Sequence, residues 1–136
     1  HPEFSELFGD LLRLRREDEI FRAQDSSRIH GAVLGPEAFV LRYFGEGDDC
    51  RLVVVNLGRD LFPNPTSEPL LAPPPGKGWE SLWYSEHPRY GGCGAPPYKT
   101  EEHWRIPGHC ALILRPAPRQ PREEATSTHE GNGEAR

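Results

Sequence analysis

Ala38-Phe39-Val40-Leu41-Arg42-Tyr43-Phe44, then Gly45-Glu46-Gly47-Asp48-Asp49, then Cys50-Arg51-Leu52-Val53-Val54-Val55-Asn56-Leu57 is the stretch on which the fold turns. Two runs rich in β-branched and aromatic residues flank a short polar segment with two glycines, the pattern of a β-hairpin with a longer loop. Alternation puts Phe39, Leu41 and Tyr43 on one face of the first run and Val40, Arg42 and Phe44 on the other. In the second run Leu52 to Val55 are all apolar, which predicts a central strand covered on both sides. Such a strand needs another layer to bury it, and the rest of the chain must supply that layer.

Working outward, Ile29 to Leu34 reads as a short strand turned by Gly35-Pro36-Glu37 into the hairpin, so three strands make an antiparallel meander. From Gly58 to Lys77 prolines dominate, and only Leu70-Leu71 could form a brief strand. Trp79 to Ser85 follows, with Trp79, Ser81 and Trp83 expected on one face and Leu82 and Tyr84 on the other. Glu86 to Tyr98 carries Pro88, Gly91, Gly92, Gly94, Pro96 and Pro97 and reads as an irregular loop. His103 to Ile106 precedes a Pro107-Gly108 turn, and Cys110 to Arg115 is a final apolar strand.

At the other end, Phe4, Leu7, Phe8, Leu11, Leu12 and Leu14 recur at helical spacing, with Arg13, Arg15 and Arg16 suited to a helix C-terminus near Asp18. This amphipathic helix is expected to pack on a neighbouring domain more than on the sheet. Ser5 with Phe8 three residues on makes no capping box. The chain starts at His1 and contains no methionine, so it reads as a piece of a longer polypeptide.

These elements predict a mainly β protein: an antiparallel, Greek-key-like β-sandwich of about seven strands behind one amphipathic helix. The expected organisation is residues 1–19 as the final helix of a missing catalytic unit or a linker, residues 28–116 as the sandwich, and 117–136 as a polar, disordered tail. With 136 residues there is room for one domain with a real core. Hydrophobic content of 35%, with 14 glycines and 15 prolines, favours a turn-rich β domain over a helical bundle.

A net charge of −5 and the lack of a dense basic cluster argue against a nucleic-acid partner. No apolar run approaches the roughly 18–20 residues of a membrane span, so no membrane partner is expected. Cys50, Cys93 and Cys110, odd in number and sparse, suggest reduced thiols in a cytoplasmic protein.

Chemistry-bearing motifs are scarce. Cys93, His103, His109 and Cys110, with His30 and His87, lack any Cys-x-x-Cys or His-x-x-x-His pair, so no metal or cofactor is expected. No Gly-x-Ser-x-Gly elbow is present, and Asp48-Asp49 and Glu101-Glu102 read as solvated loop carboxylates. No catalytic residue is assigned. Aromatics are concentrated instead: Trp79, Trp83, Tyr84, Tyr90, Tyr98 and Trp104 fall in one quarter of the chain. They read first as packing residues and second as a stacking surface for a saccharide.

A family resemblance enters through longer motifs. Leu11 to Asp18, followed by a β region, resembles the junction between the catalytic barrel and the C-terminal β-sandwich of glycoside hydrolase family 13, the α-amylase-like enzymes. Leu82-Trp83-Tyr84-Ser85-Glu86-His87-Pro88-Arg89-Tyr90-Gly91-Gly92-Cys93-Gly94-Ala95-Pro96-Pro97 is similar to a loop in the C-terminal domain of malto-oligosyltrehalose trehalohydrolases and related bacterial enzymes. Trp104 to Gly108 fits the same pattern, and Val53 to Leu57 is similar to a strand widespread in these domains. Glu19, His87 and Cys93 depart from it, standing where a proline, an acid and a small polar residue are common.

The resemblance implies a non-catalytic module of an enzyme acting on α-glucosidic bonds in starch, maltooligosaccharide or trehalose metabolism. It implies as partner the (β/α) barrel of the parent chain, which this module would stabilise, and secondarily an α-glucan. In that case Trp83, Arg89, Tyr90 and Trp104 are the candidate substrate-binding residues. An independent carbohydrate-binding module acting through exposed tryptophans and tyrosines is the alternative. Arg89 is expected to rigidify its loop by contact with a nearby carboxylate or carbonyl.

Overall fold

The computed structural model describes residues 2–63, 68–94 and 104–119. Tyr98, Glu101, Glu102, His103 and the expected tail beyond 119 lie outside the described residues. A helix, α1 (Pro2–Glu17), and a one-turn helix, α2 (Glu19–Arg22), precede five strands. These are β1 (Ile29–Gly35), β2 (Ala38–Phe44), β3 (Cys50–Asn56), β4 (Lys77–Tyr84) and β5 (Cys110–Pro118).

All neighbours in the sheet are antiparallel, in the order β1-β2-β3-β5-β4. The meander is as expected, and β3 lies at the centre. The hairpin loop closes where Gly45 N–H donates to Asp49 at 2.8 Å, with Gly47 at φ 60°, a conformation glycine adopts freely. After β3 the chain crosses to the far edge for β4 and returns as β5 between them.

The expected mainly β, antiparallel, sandwich-type domain behind an amphipathic helix is what the structure shows, with five strands among the described residues where about seven are expected. Two expected strands take other forms. Pro69–Leu71 is a 3₁₀ turn, because Pro69 cannot donate to a ladder and Glu68 caps the Leu70 N–H. Around Ile106 the described residues form an isolated bridge with Leu61 in place of a strand. At the other end β5 runs to Pro118, two residues past the expected domain limit at 116, pairing Ala117 with Gly78 and Pro118 with Lys77.

The core lies on one face of the sheet. Val40, Leu52, Val54, Trp79, Tyr84, Leu112 and Leu114 belong to the sheet and point into it, and the Leu61–Ile106 bridge, Leu71 and Trp104 belong to the segments that pack against them. Arg42 shares this face and is buried. Its guanidinium lies over the Phe44 and Trp79 rings and donates to the Leu70 and Ala72 carbonyls, pinning the crossover. Asn56 is almost fully buried and its Nδ2 donates toward the Arg59, Ile106 and Pro107 carbonyls, while its Oδ1 accepts from Gly58 N–H.

The opposite, outer face of the sheet carries Leu41, Tyr43, Val53 and Ile113, and α1 lies across it. Leu7, Leu11 and Leu14 are half-buried on this side, so the helix does pack on its own sheet. Its neighbouring flank does not: Phe4, Phe8 and Leu12 are 61%, 59% and 51% exposed. No described helix is long and apolar enough to cross a membrane.

Candidate functional site

Three of the four candidate residues meet where the β4 end and its following loop reach α1. A register shift between Ser81 and Trp83 inserts Leu82 as a bulge, so Trp79 faces the core while Trp83 pairs with Ile113 on the outer face. The expectation that Trp79, Ser81 and Trp83 share a face is thereby corrected. Pure alternation cannot register an inserted residue.

Past Tyr84 the loop is held by local bonds. Ser85 N–H donates to Ala111 O and Ser85 Oγ accepts from Ala111 N–H, both at 2.9 Å. His87 Nδ1 accepts from Arg89 N–H and caps the 3₁₀ turn Pro88–Tyr90. Gly91 at φ 80° ends that turn. Gly92 packs directly on the Glu86 backbone, where a Cβ would stand 2.1 Å from the Glu86 carbonyl oxygen, so only glycine fits.

This loop presents Arg89 and Tyr90 to one carboxylate on α1, Asp10. Tyr90 Oη donates to Asp10 Oδ2 at 2.5 Å, and Arg89 Nη1 lies 3.4 Å from the same oxygen. Burial, then the Asp10 bond, push the Tyr90 phenol above its ordinary range, so it remains a proton donor. Its ring stands 6.2 Å from Trp83 and 6.1 Å from His87, with the Arg89 guanidinium 5.6 Å from its centroid. The expected carboxylate partner of Arg89 is therefore Asp10, a residue the sequence did not single out.

Trp104 is elsewhere: 4% exposed, it belongs to the hydrophobic core. The arrangement is a latch between loop and helix. Tyr90 and Arg89 present their polar ends to Asp10, and the Trp83 indole nitrogen is buried.

A second latch holds the C-terminal end of α1. Asp18 caps α2 through Ile20 and Phe21 N–H and accepts from Arg51 Nε at 2.9 Å; Arg51 also pairs with Asp49 at 2.7 Å. Phe21 meets the Tyr43 ring edge-on at 5.0 Å. Neither latch sets a nucleophile beside a base.

The thiols are equally quiet. Cys50, Cys93 and Cys110 are free; Cys110 Sγ donates to Pro107 O at 2.9 Å, and burial pushes its pKa up to about 11. Burial likewise raises Cys50. Among the described residues no group of three or more His, Cys, Asp or Glu side chains is placed to hold a metal ion.

Residues 26–113 match a family described as a domain of unknown function, DUF3459. No curated protein and no solved structure matches the chain. Helix α1 lies ahead of the matched span. With more than half of its residues matched, the chain belongs to the DUF3459 family, the C-terminal domain found in α-amylase-family (glycoside hydrolase family 13) enzymes.

Proposed function

We propose that this chain is the non-catalytic accessory domain of an α-glucan-active glycoside hydrolase, and that it stabilises the catalytic (β/α) barrel by packing against it through α1. One observation carries the reading. Helix α1 has two apolar flanks, one seated on the sheet and one, Phe4-Phe8-Leu12, open, and it stands outside the family span. An uncovered row of this kind marks a docking face. The helix then acts as a wall shared by two units, with the bond-breaking carboxylates on the barrel.

Several features favour packing over sugar binding. Trp79 and Trp104 sit in the core, and Tyr90 and Arg89 are engaged with Asp10. The Leu82–Gly94 motif keeps a trehalose-releasing or maltooligosaccharide-cleaving enzyme as the favoured parent. Three free thiols suit a reducing, cytoplasmic setting.

The test replaces Phe4, Phe8 and Leu12 together by serine. Full burial of such a side chain contributes about 1.5–3 kcal/mol, and with over half of each still exposed a partner would add roughly 1 kcal/mol per residue. The substitutions should therefore lower the parent enzyme's stability by roughly 3 kcal/mol. In the chain alone they should reduce binding of a hydrophobic dye without unfolding the sheet. An unchanged parent melting temperature would refute the docking role. Hydrolysis of maltooligosaccharides by the chain alone would refute the non-catalytic assignment.

A further inference from the structure

The two edges of the sheet are built differently. β4 carries Lys77 and Glu80, is interrupted by the Leu82 bulge, and ends in the loop latched to α1. Charges, bulges and covering loops are the means by which an edge is kept from recruiting another strand. Over residues 29–33, β1 has none of them. Ile29–Gly35 contains no proline and no acidic or basic side chain other than His30, and its register with β2 slips only beside the turn, between Val33 and Gly35. Among the described residues no strand lies beyond it. His30, Gly31 and Val33 are exposed, Val33 by 77%. The outward backbone groups of β1 are therefore set for a further ladder.

Charge and shape suit a second copy of β1 in that place. Arg28 precedes the strand and Glu37 follows it, so the edge is basic at one end and acidic at the other. Two such edges running antiparallel bring Arg28 beside the partner's Glu37 at both ends and set no like charges directly opposite. In the register centred on Ala32, Val33 falls opposite the partner's Gly31 on the outer face. Leu41 leans over Gly31, its Cδ2 3.0 Å from where a Cβ would stand, and offers the incoming Val33 an apolar seat.

We propose that β1 pairs with the β1 of a second copy of this chain, antiparallel about a two-fold axis at Ala32, so that two sheets join into one. The pairing uses no residue of α1, so its failure would leave the accessory role standing.

Sedimentation equilibrium of the whole chain should show a monomer–dimer equilibrium, and hydrogen exchange of the β1 amides should slow as the dimer forms. Val33→Lys, at a position exposed in the monomer, should weaken the dimer about tenfold and leave the urea midpoint of the monomer unchanged. Arg28→Glu and Glu37→Arg should each weaken it by about tenfold, because each reversal acts at both ends of the pair. The double variant should regain the dimer. Arg28 and Glu37 flank a strand of 7 residues, roughly 23 Å long at about 3.3 Å per residue, so only a contact between copies can produce that rescue. A chain that stays monomeric at every concentration would overturn the proposal, as would a double variant no better than the single ones. A dimer indifferent to these substitutions but dissolved by Phe8→Ser would overturn it too, and would place the contact on α1.

Discussion

Replacing Asn56 by alanine should remove a large part of the domain's stability, although Asn56 is remote from the latches on α1. Its side chain is 1% exposed and ties β3 to both segments of the opposing layer. Nδ2 reaches Arg59 O at 2.7 Å, Pro107 O at 3.1 Å and Ile106 O at 3.3 Å; Oδ1 takes Gly58 N–H at 3.0 Å. Alternative partners soften part of the loss: Ile106 O also accepts from Leu61 N–H and Pro107 O from Cys110 Sγ. Gly58 N–H and Arg59 O have none among the described residues. A buried orphan costs about 1–3 kcal/mol and each lost net bond about 1 kcal/mol, which together give roughly 3–4 kcal/mol.

Against a domain stability of about 5–15 kcal/mol, that loss would be plain in urea denaturation. Buried Trp79 and Trp104 supply the fluorescence signal. Asn56→Asp is the stricter variant: it keeps the shape but sets an anionic oxygen against three carbonyls. It should cost at least about 1 kcal/mol more than alanine. A loss below about 1 kcal/mol for alanine, or an aspartate variant as mild as alanine, would refute the view that this one amide organises the opposing layer.

Tyr90→Phe should speed exchange of the α1 amides and cost about 1.5 kcal/mol, as expected for a bond to a carboxylate. Arg89→Ala should cost less than about 0.5 kcal/mol, because its pair with Asp10 is half-exposed and screened. Of the three thiols, Cys93 alone should react quickly with a thiol reagent at pH 8 in the native state; rapid labelling of Cys110 would contradict its burial. Stability should fall as pH rises above 9: the unfolded Cys110 thiol loses its proton there, while the folded one holds it to about 11. The loss should reach roughly 2 kcal/mol by pH 11, measured as the urea midpoint, and a Cys110→Ala variant should not show that increment.

Much of the sheet was readable because its signals are local. The hairpin announces itself by two apolar runs around a glycine-bearing loop, and alternation separated Phe39, Leu41 and Tyr43 from Val40 and Arg42. Which set faces the core is another matter. The inward set contains an arginine, and only the carbonyls of the crossover and two aromatic rings explain why Arg42 can be buried. Trp83 was misplaced because Leu82 bulges without a glycine or proline to mark it. In the loop, Pro88 and the glycines made irregular structure legible, while Arg89 and Tyr90 were singled out by the resemblance of the Leu82–Pro97 motif. Their partner Asp10 was invisible: it lies 80 positions from Tyr90, and nothing in a helical heptad distinguishes it from a solvated acid.

The two latches also bear on why α1 stays on this sheet despite lying outside the family span. Apolar contact alone is thin, since Leu7, Leu11 and Leu14 are only half-buried and a cavity of about 440 Å³ lies beside Leu11, Leu14, Phe21, Tyr43, Val53 and Ile113. What fixes the helix is one carboxylate at its middle and one just past its C-terminus: Asp10 held by the β4 loop, and Asp18 held by Arg51 of β3. The Asp18–Arg51 pair is well shielded, with side chains 8% and 13% exposed, so it escapes the screening that makes surface pairs worth little. Arg51→Met should therefore cost about 1–2 kcal/mol, less than a fully buried pair because Asp18 retains its Ile20 and Phe21 N–H bonds. If the helix is a shared wall, that loss must appear twice: as faster exchange of α1 in this chain, and as a weaker join to the catalytic unit in the parent. A loss confined to the chain alone would mean that the catalytic unit positions α1 by itself and that the latches merely follow.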